Sequence, residues 1–239
     1  MLTRWLILTG ICLLSFGVKG SVIDSLESAL GKENSKNGRI EILHELSWHY
    51  AGLDNDQSLN HAEQSLELSL TTNNKELIAT SYNRIGLAYD YASEFQRALE
   101  NYEMCRRIRE DLGDIEGISA AYNNIGGVYY YMGNYGKALE YYFKSLEERE
   151  KLGSDPENRD LLIAQSMNNI ALVHKAMKRY EEAIGWYQNS LEKKSKIGDE
   201  LGVCTSLSNI GALYLELDER DSARKKLEEA LEISIRLEN

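Results

Sequence analysis

One short motif recurs along the chain at nearly constant spacing, and this repetition constrains the fold more than any other feature. The segments NRIGLAY, NNIGGVY, NNIALVH and SNIGALY place a small residue at Gly86, Gly126, Ala171 and Gly211. A more divergent copy, HELSWHY, places Ser47 at the same point, so successive copies are 39, 40, 45 and 40 residues apart. Self-similarity at such a period predicts a solenoid built from short, stacked helical units.

Each copy contains two segments with the periodicity of an α-helix. In the third copy, apolar or small residues recur at positions 122, 125, 128 and 129, and again at 138, 142, 145 and 146 after the turn. We expect Gly133 to end the first helix in a left-handed conformation, and we expect the same of three glycines that follow second helices, Gly113, Gly153 and Gly198. The sequence therefore predicts an all-α protein of helical hairpins.

Small residues are expected where the two helices of each hairpin cross. Gly126 on a first helix and Ala138 on a second helix would allow close approach, and the pairs Gly86 with Ala98, Ala171 with Ala183, and Gly211 with Ala223 repeat this arrangement. Tyr102, Tyr142 and Tyr187 are then expected in the core, filling the space between one repeat and the next.

The longer step of 45 residues contains SDPENRD, which holds the one proline of the chain. We expect Asp155 to cap a helix, Pro156 to lie in its first turn, and the extra residues to form a longer surface loop.

The composition excludes several classes of partner. The chain has 239 residues, 43% of them hydrophobic, and a formal net charge of −11, which repels nucleic acid and anionic lipid. Three cysteines are too few for a disulfide framework, and Cys105 and Cys204 are expected to be buried thiols.

The first twenty residues have the pattern of a secretory signal peptide. Arg4 precedes an apolar run from 5 to 18, and Lys19 and Gly20 follow. Because about 20 apolar residues are needed to span a membrane, this run favours cleavage before Ser21 and a periplasmic or cell-envelope location. An uncleaved anchor is the alternative. After cleavage we expect no membrane insertion, and residues 21–38 are expected to form a capping helix and turn.

The small-large-small pattern resembles the tetratricopeptide repeat. The resemblance covers about residues 39–239, in copies at about 39–75, 76–114, 115–158, 159–199 and 200–239, with a period longer than the usual 34 residues. In the second copy the matching residues are Tyr82, Ile85, Gly86, Tyr89, Ala98 and Tyr102. The resemblance implies a right-handed α-solenoid of stacked antiparallel helix pairs.

The order of export signal, short helix and LGD-linked repeats resembles the exported N-terminal sensor regions of certain bacterial signalling proteins. There the repeats precede a membrane span and an effector such as a histidine kinase, a nucleotide cyclase or a DNA-binding regulator. This resemblance implies a non-enzymatic interaction or sensing module whose effector is missing. A free-standing scaffold that self-associates is the alternative.

No motif in the chain predicts catalysis, a metal site or a cofactor. His44 and His49 in HELSWH are five residues apart, whereas a zinc-protease helix needs a separation of four. We therefore expect His44 on a helix surface and His49 on the inner face or at an interface. The segment GNYGKA lacks the first glycine and the hydroxyl residue of a phosphate-binding loop.

Amide side chains beside the repeated motif are the best candidates for binding. In a curved stack the first helices line the concave side, and carboxamides there could both donate to and accept from an extended peptide backbone. The candidate peptide-binding residues are Asn83, Asn123, Asn124, Asn168, Asn169, Ser208, Asn209, Tyr91 and Tyr131. For the second residue of each pair, a role in stacking neighbouring repeats is an equal alternative. The negative charge favours a basic or neutral peptide or protein as ligand.

The last helix is expected to leave apolar residues uncovered. Leu231, Ile235 and Leu237 continue the periodicity of a second helix up to a repeat boundary. Because terminal repeats need a polar outer face, we expect further repeats or another chain to cover them.

Overall fold

The computed structural model describes residues 12–153 and 155–238, and these residues form eleven α-helices and no strand. Most of the predicted signal peptide, residues 1–11, lies outside the described residues. The predicted fold class, an all-α solenoid of helix pairs, is confirmed. The chain divides into two compact units, unit 1 up to Leu112 and unit 2 from Gly113.

Unit 1 contains an N-terminal helix and two helix pairs. Helix α2 packs against α1, α3 and α4, and α4 also packs against α3 and α5. The N-terminal helix is longer than predicted and runs across the predicted cleavage site before Ser21. The helices of unit 1 are α1 (Cys12–Lys32), α2 (Lys36–Tyr50), α3 (Asn55–Leu70), α4 (Lys75–Tyr91) and α5 (Phe95–Leu112).

Unit 2 contains three helix pairs, and each helix packs on the next along the chain. Its helices are α6 (Ile115–Tyr131), α7 (Tyr135–Glu150), α8 (Pro156–Ala176), α9 (Tyr180–Lys196), α10 (Glu200–Glu216) and α11 (Arg220–Glu238).

The extra residues of the long fourth step mostly lengthen a helix, and the predicted longer loop accounts for only part of them. The connection from Glu150 to Pro156 is longer than the one from Lys196 to Glu200. Helix α8 has 21 residues, whereas α6 and α10 have 17. The cause is local, because the Asp155 side chain accepts the backbone N–H groups of Glu157 and Asn158, and Pro156 lies in the first turn, as predicted. Together they start the helix early.

The turns show which glycine predictions hold. Gly113, Gly133 and Gly198 have φ angles of +67°, +73° and +73°, as expected for residues that end helices. The prediction for Gly153 is wrong, because α7 already ends at Glu150 and Gly153 is not among the glycines with positive φ. The turn position of Gly133 is occupied in other repeats by residues that carry a side chain and still have positive φ, namely Ser93, Lys178 and Asp218.

The repeated small residues make room for an aromatic ring of their own hairpin, which corrects one prediction. A Cβ atom on Gly126 would lie 2.9 Å from Cδ1 of Tyr142, and one on Gly86 would lie 2.7 Å from Cδ1 of Tyr102. The tyrosines are buried, as predicted, but each ring occupies the space left by the glycine rather than only the space between repeats. In the last pair Leu227 takes this place against Gly211.

In unit 1, neutral side chains form hydrogen bonds between α4 and the helices packed against it, α2 and α3. The hydroxyl of Ser81 lies 2.8 Å from Nε2 of His44, 3.0 Å from Oγ of Ser65 and 3.3 Å from Oγ of Ser69. All four side chains are buried, so the prediction that His44 lies on a helix surface is wrong. Burial, with Arg84 and Arg109 nearby, lowers the pKa of His44 to about 4.

In unit 2, buried cations take the corresponding positions. Nη1 of Arg149 donates to Oγ of Ser166 at 2.9 Å and to the carbonyl of Leu162. Nζ of Lys194 donates to Oγ of Ser206 at 3.1 Å and to the carbonyl of Gly202 at 3.4 Å. Burial lowers the pKa of Arg149 to about 10 and also lowers the pKa of Lys194.

The last helix exposes apolar side chains, as the sequence predicts. Leu231 is 58% exposed, Ile235 52% and Leu237 47%. Of the helices described, none is both long enough and apolar enough to cross a membrane.

Candidate ligand-binding cavity

An open cavity of about 260 Å³ in unit 2 gathers three of the predicted amide residues. Helix α6 contributes Asn123, α8 contributes Gln165, Asn168 and Asn169, and α9 contributes Lys194. Four amides and one amine line this cavity, so it offers several hydrogen-bond donors and acceptors and one positive charge.

Helix geometry explains why the amides face this cavity. Ile125, Ile170 and Ala171 are buried in the core of the helix pairs. Because each residue of a helix is rotated by roughly 100° from the one before, the residues just ahead of them point away from that core. Asn123, Asn168 and Asn169 are accordingly only half-buried.

Two of the amides bond to each other across neighbouring repeats. Nδ2 of Asn169 donates to Oδ1 of Asn123 at 2.7 Å, which joins α8 to α6. This bond fixes the orientation of both amide groups, so Asn169 helps to stack the repeats while also lining the cavity.

Asn168 has an acceptor without a partner. Its Oδ1 atom is buried and forms no hydrogen bond with any described residue. A buried acceptor left unpaired costs about 1–3 kcal/mol. An N–H group of a ligand in the cavity would remove this cost.

The other predicted residues lie elsewhere. The hydroxyl of Ser208 donates to the carbonyl of Cys204 at 2.9 Å, within its own helix. Tyr131 is 54% exposed, and Tyr91 is 43% exposed beside Gly52. Three half-buried amides, Asn83, Asn124 and Asn209, do not line the cavity.

Sequence reasoning missed Gln165 and Lys194. Gln165 lies three residues before the motif, and Lys194 belongs to a second helix, whereas the candidates were sought on first helices. One pattern in the sequence could have drawn attention to Lys194. Lys194 lies 11 residues after the small residue Ala183 of its helix, and Arg149 lies 11 residues after Ala138, so a basic residue recurs at the same repeat position.

Two features of the described residues bear on catalysis and metal binding. The pair His44 and Ser81 resembles a base and a nucleophile, but both side chains are buried in the α3–α4 junction, where a substrate has no access. Among the described residues no group of three or more His, Cys, Asp or Glu side chains could hold a metal ion.

Comparison with known families identifies the repeats. Three family models, each described as tetratricopeptide repeat, match residues 78–112, 119–152 and 162–236. The chain is a tetratricopeptide repeat protein. The tetratricopeptide repeat fold suggests protein–protein interaction, and such proteins are typically non-catalytic interaction modules.

One curated relative supports this assignment. The tetratricopeptide repeat protein 21 homolog of Caenorhabditis briggsae is 32% identical over 98 residues. The match covers 41% of this chain and only 7% of that relative.

Solved tetratricopeptide repeat structures share the fold at low identity. BtubC from P. vanneervenii has a TM-score of 0.73 and 15% identity, with 93% of this chain and 91% of that chain covered. The quorum sensor NprR from B. thuringiensis in its apo form has a TM-score of 0.68 and 17% identity, with 92% and 61% covered. NprR in complex with its cognate peptide NprX has a TM-score of 0.65 and 17% identity, with 90% and 61% covered.

Proposed function

We propose that this protein is a non-enzymatic module that binds an extended peptide, or an extended segment of a protein, at the amide cavity of unit 2. The observation that carries the proposal is the unpaired, buried Oδ1 atom of Asn168 beside the amide pair of Asn123 and Asn169. Together these groups offer a peptide backbone an acceptor for its N–H and donors for its C=O.

A protein with the same fold, NprR, binds a peptide. That protein has been solved with its cognate peptide NprX, and it shares the helix-pair architecture. At 17% identity the comparison speaks for the fold alone, so the argument for a peptide rests on the amides of this chain. The net charge of −11 favours a peptide that is basic or neutral overall.

The proposal includes export and a role in bacterial signalling. Residues 1–20 would direct the chain to the periplasm or cell envelope, where the repeats would act as the sensor or scaffold part of a signalling protein with a separate effector. N-terminal sequencing of the exported protein tests this step. A mature chain that starts at Ser21 is expected, and a chain that still starts at Met1 would exclude cleavage.

Replacing Asn168 tests the binding role against a structural one. A pool of random dodecapeptides serves as the probe, and retention on immobilised protein is measured together with urea unfolding. Asn168→Ala should reduce retention by about tenfold or more while leaving the free energy of unfolding unchanged or slightly higher, because it removes an unpaired acceptor.

Asn169→Ala serves as the reference for the stability measurement alone, because Asn169 also lines the cavity. This change breaks the bond to Asn123 and should cost about 1 kcal/mol of stability. If Asn168→Ala instead lowers stability and leaves retention intact, Asn168 is structural and the proposed function loses its main support.

A self-associating scaffold is the second candidate function, and the exposed apolar face of α11 favours it. Light scattering over a range of concentrations should then reveal a dimer that Leu231→Glu abolishes. A monomer at all concentrations would exclude this candidate and leave the face to further repeats or another partner.

A further inference from the structure

We propose that two copies of the chain pair through their α11 helices in antiparallel orientation, and that the order of charges along α11 selects this orientation. The inference rests on the self-association named above as the second candidate function. It adds the geometry of the contact and the residues that specify it.

The surface that would form the contact is an apolar stripe along α11. Leu227, Leu231 and Ile235 are four residues apart, so they lie on successive turns of one side of the helix, and their side chains are 38%, 58% and 52% exposed. Ala223 and Ala230 are buried, and the carbonyl groups of both approach α10. The stripe is therefore open to a partner while the alanines hold α11 on its own hairpin.

The charged residues of α11 are segregated along the helix. Residues 220–226 carry four basic side chains and one acidic side chain, whereas residues 227–237 carry three acidic side chains and one basic side chain. The helix dipole favours the reverse order, which only Asp221 in the first turn and Arg236 in the last turn follow. The stability of α11 by itself therefore does not explain the segregation.

Ion pairs within the helix do not explain it either. Arg224 pairs with Asp221 at 3.5 Å and Lys226 with Glu229 at 2.9 Å, and pairs of this exposed kind contribute little stability. Arg224 and Glu228 are four residues apart with the basic residue first, which is the less stabilising order in a helix. Among the described residues, no ion pair is formed by three exposed side chains of α11, those of Lys225, Glu228 and Glu232.

An antiparallel second copy matches both the stripe and the charges. If Leu227 of each copy packs against Leu231 of the other, the two-fold axis passes the midpoint of α11, and the helices run side by side for about 28 Å. The basic half of each helix then lies beside the acidic half of the other. A parallel pair would instead place like charges together. The same patch serves both copies, as a two-fold contact requires.

The contact is expected to depend on protein concentration and on salt. One helix from each copy buries less area than a standard interface of about 1,600 Å², so we expect a dissociation constant in the micromolar range. Because the charges are exposed, raising NaCl from about 0.05 M to about 1 M should weaken the dimer.

Charge-reversal variants test the role of the charge order. Sedimentation equilibrium from about 1 μM to about 1 mM measures the dissociation constant. Arg224→Glu with Lys225→Glu should weaken the dimer by about fivefold or more, because acidic halves then meet acidic halves. Adding Glu228→Lys and Glu232→Lys to that variant should restore the dimer. In a parallel pair, like charges would face each other in all three proteins, so neither change would have this effect.

The matched control changes the net charge by the same amount away from α11. Lys75→Glu with Arg97→Glu replaces two exposed basic residues of unit 1. This variant should associate as the unmodified protein does.

Cross-linking tests the orientation directly. The proposed register places Arg224 of one copy opposite Ser234 of the other. A mixture of Arg224→Cys and Ser234→Cys proteins should therefore form a disulfide-linked dimer under mild oxidation, and Arg224→Cys alone should not. The unmodified protein is the control for links through its natural cysteines.

The outcomes separate this inference from the proposals above. A monomer at all concentrations overturns it together with the self-associating scaffold and leaves peptide binding untouched. A dimer that is insensitive to the charge reversal, or in which Arg224→Cys alone cross-links, overturns the antiparallel geometry and leaves self-association intact.

Discussion

The two units close the junctions between their helix pairs with different chemistry at the same repeat position. At the junction between α3 and α4 in unit 1 this position is Ser69, part of a neutral cluster around Ser81. In unit 2 it is Arg149 or Lys194, a buried cation that donates to the hydroxyl at the position of Ser81, which is Ser166 or Ser206. A serine hydroxyl suits both kinds of junction because it can donate and accept. In the three junctions α3–α4, α7–α8 and α9–α10 the hydroxyl is the same, while its partner on the second helix varies.

The largest expected difference between the two units is in their response to acid, because unit 1 contains the buried His44. Its folded pKa of about 4 lies below the ordinary value of 6.5, so between these values the unfolded chain binds more protons than the folded one. Stability of unit 1 should therefore fall as the pH drops from about 6.5 to 4, by roughly 3 kcal/mol for this group. Arg149 and Lys194 stay protonated throughout this range and contribute no such loss.

Hydrogen exchange of α2–α4 amides at pH 7 and pH 4.5 measures the effect. His61 and His174 also have lowered pKa values, so the informative quantity is the difference from His44→Gln, which should flatten the dependence. An unchanged pH dependence in that variant would show that His44 does not cause the loss.

A double-mutant cycle tests the cationic junction of unit 2. Ser166→Ala should cost about 1.5–3 kcal/mol, because the buried guanidinium of Arg149 loses an acceptor. Arg149→Met combined with Ser166→Ala should cost less than the serine change alone, since the buried charge is removed with its partner. Urea unfolding measures all variants, and strictly additive effects would contradict the coupling.

The two units should lose similar amounts of stability when the glycine that contacts the buried tyrosine ring is replaced. Gly86→Val and Gly126→Val should each cost about 1–3 kcal/mol, because the new side chain overlaps Tyr102 or Tyr142. Thermal unfolding compares them, with Gly136→Ala as a control at a glycine without neighbours within 4 Å. A much smaller cost in one unit would show that its ring moves aside.

The smallest expected change in stability comes from the turn residue with positive φ that follows the first helix of a repeat. Ser93→Gly in unit 1 and Lys178→Gly in unit 2 should each stabilise the protein by about 0.5–1 kcal/mol, because glycine adopts positive φ without steric strain. Gly133→Ala should destabilise by a similar amount. If the two glycine variants lower the melting temperature, the gain in unfolded-chain entropy outweighs the relieved strain.

The fold was predictable because its signals are local. Apolar periodicity gave the helices, the spacing gave the pairing, and Asp155 with Pro156 gave the start of α8. The prediction at these two residues was incomplete, because the sequence did not show how the extra residues would be divided between the loop and the helix. His44 was misplaced because one helix turn cannot show which of its faces a neighbouring helix will cover.

The candidate site was predictable only in part, because its members are distant in the chain. The motif pointed to Asn123 and Asn168, but the cavity also requires Lys194 from α9. The sequence by itself determined the repeats, most of the turn glycines and the small residues that receive the aromatic rings, because each depends on neighbours within one or two helices. Only the tertiary structure decided that Asn169 bonds to Asn123, that Asn168 keeps an unpaired acceptor and that Lys194 lines the same cavity. The reason is that Asn123 and Asn169 are 46 residues apart in the chain and lie on different helices, as does Lys194, and no local pattern encodes how those helices pack.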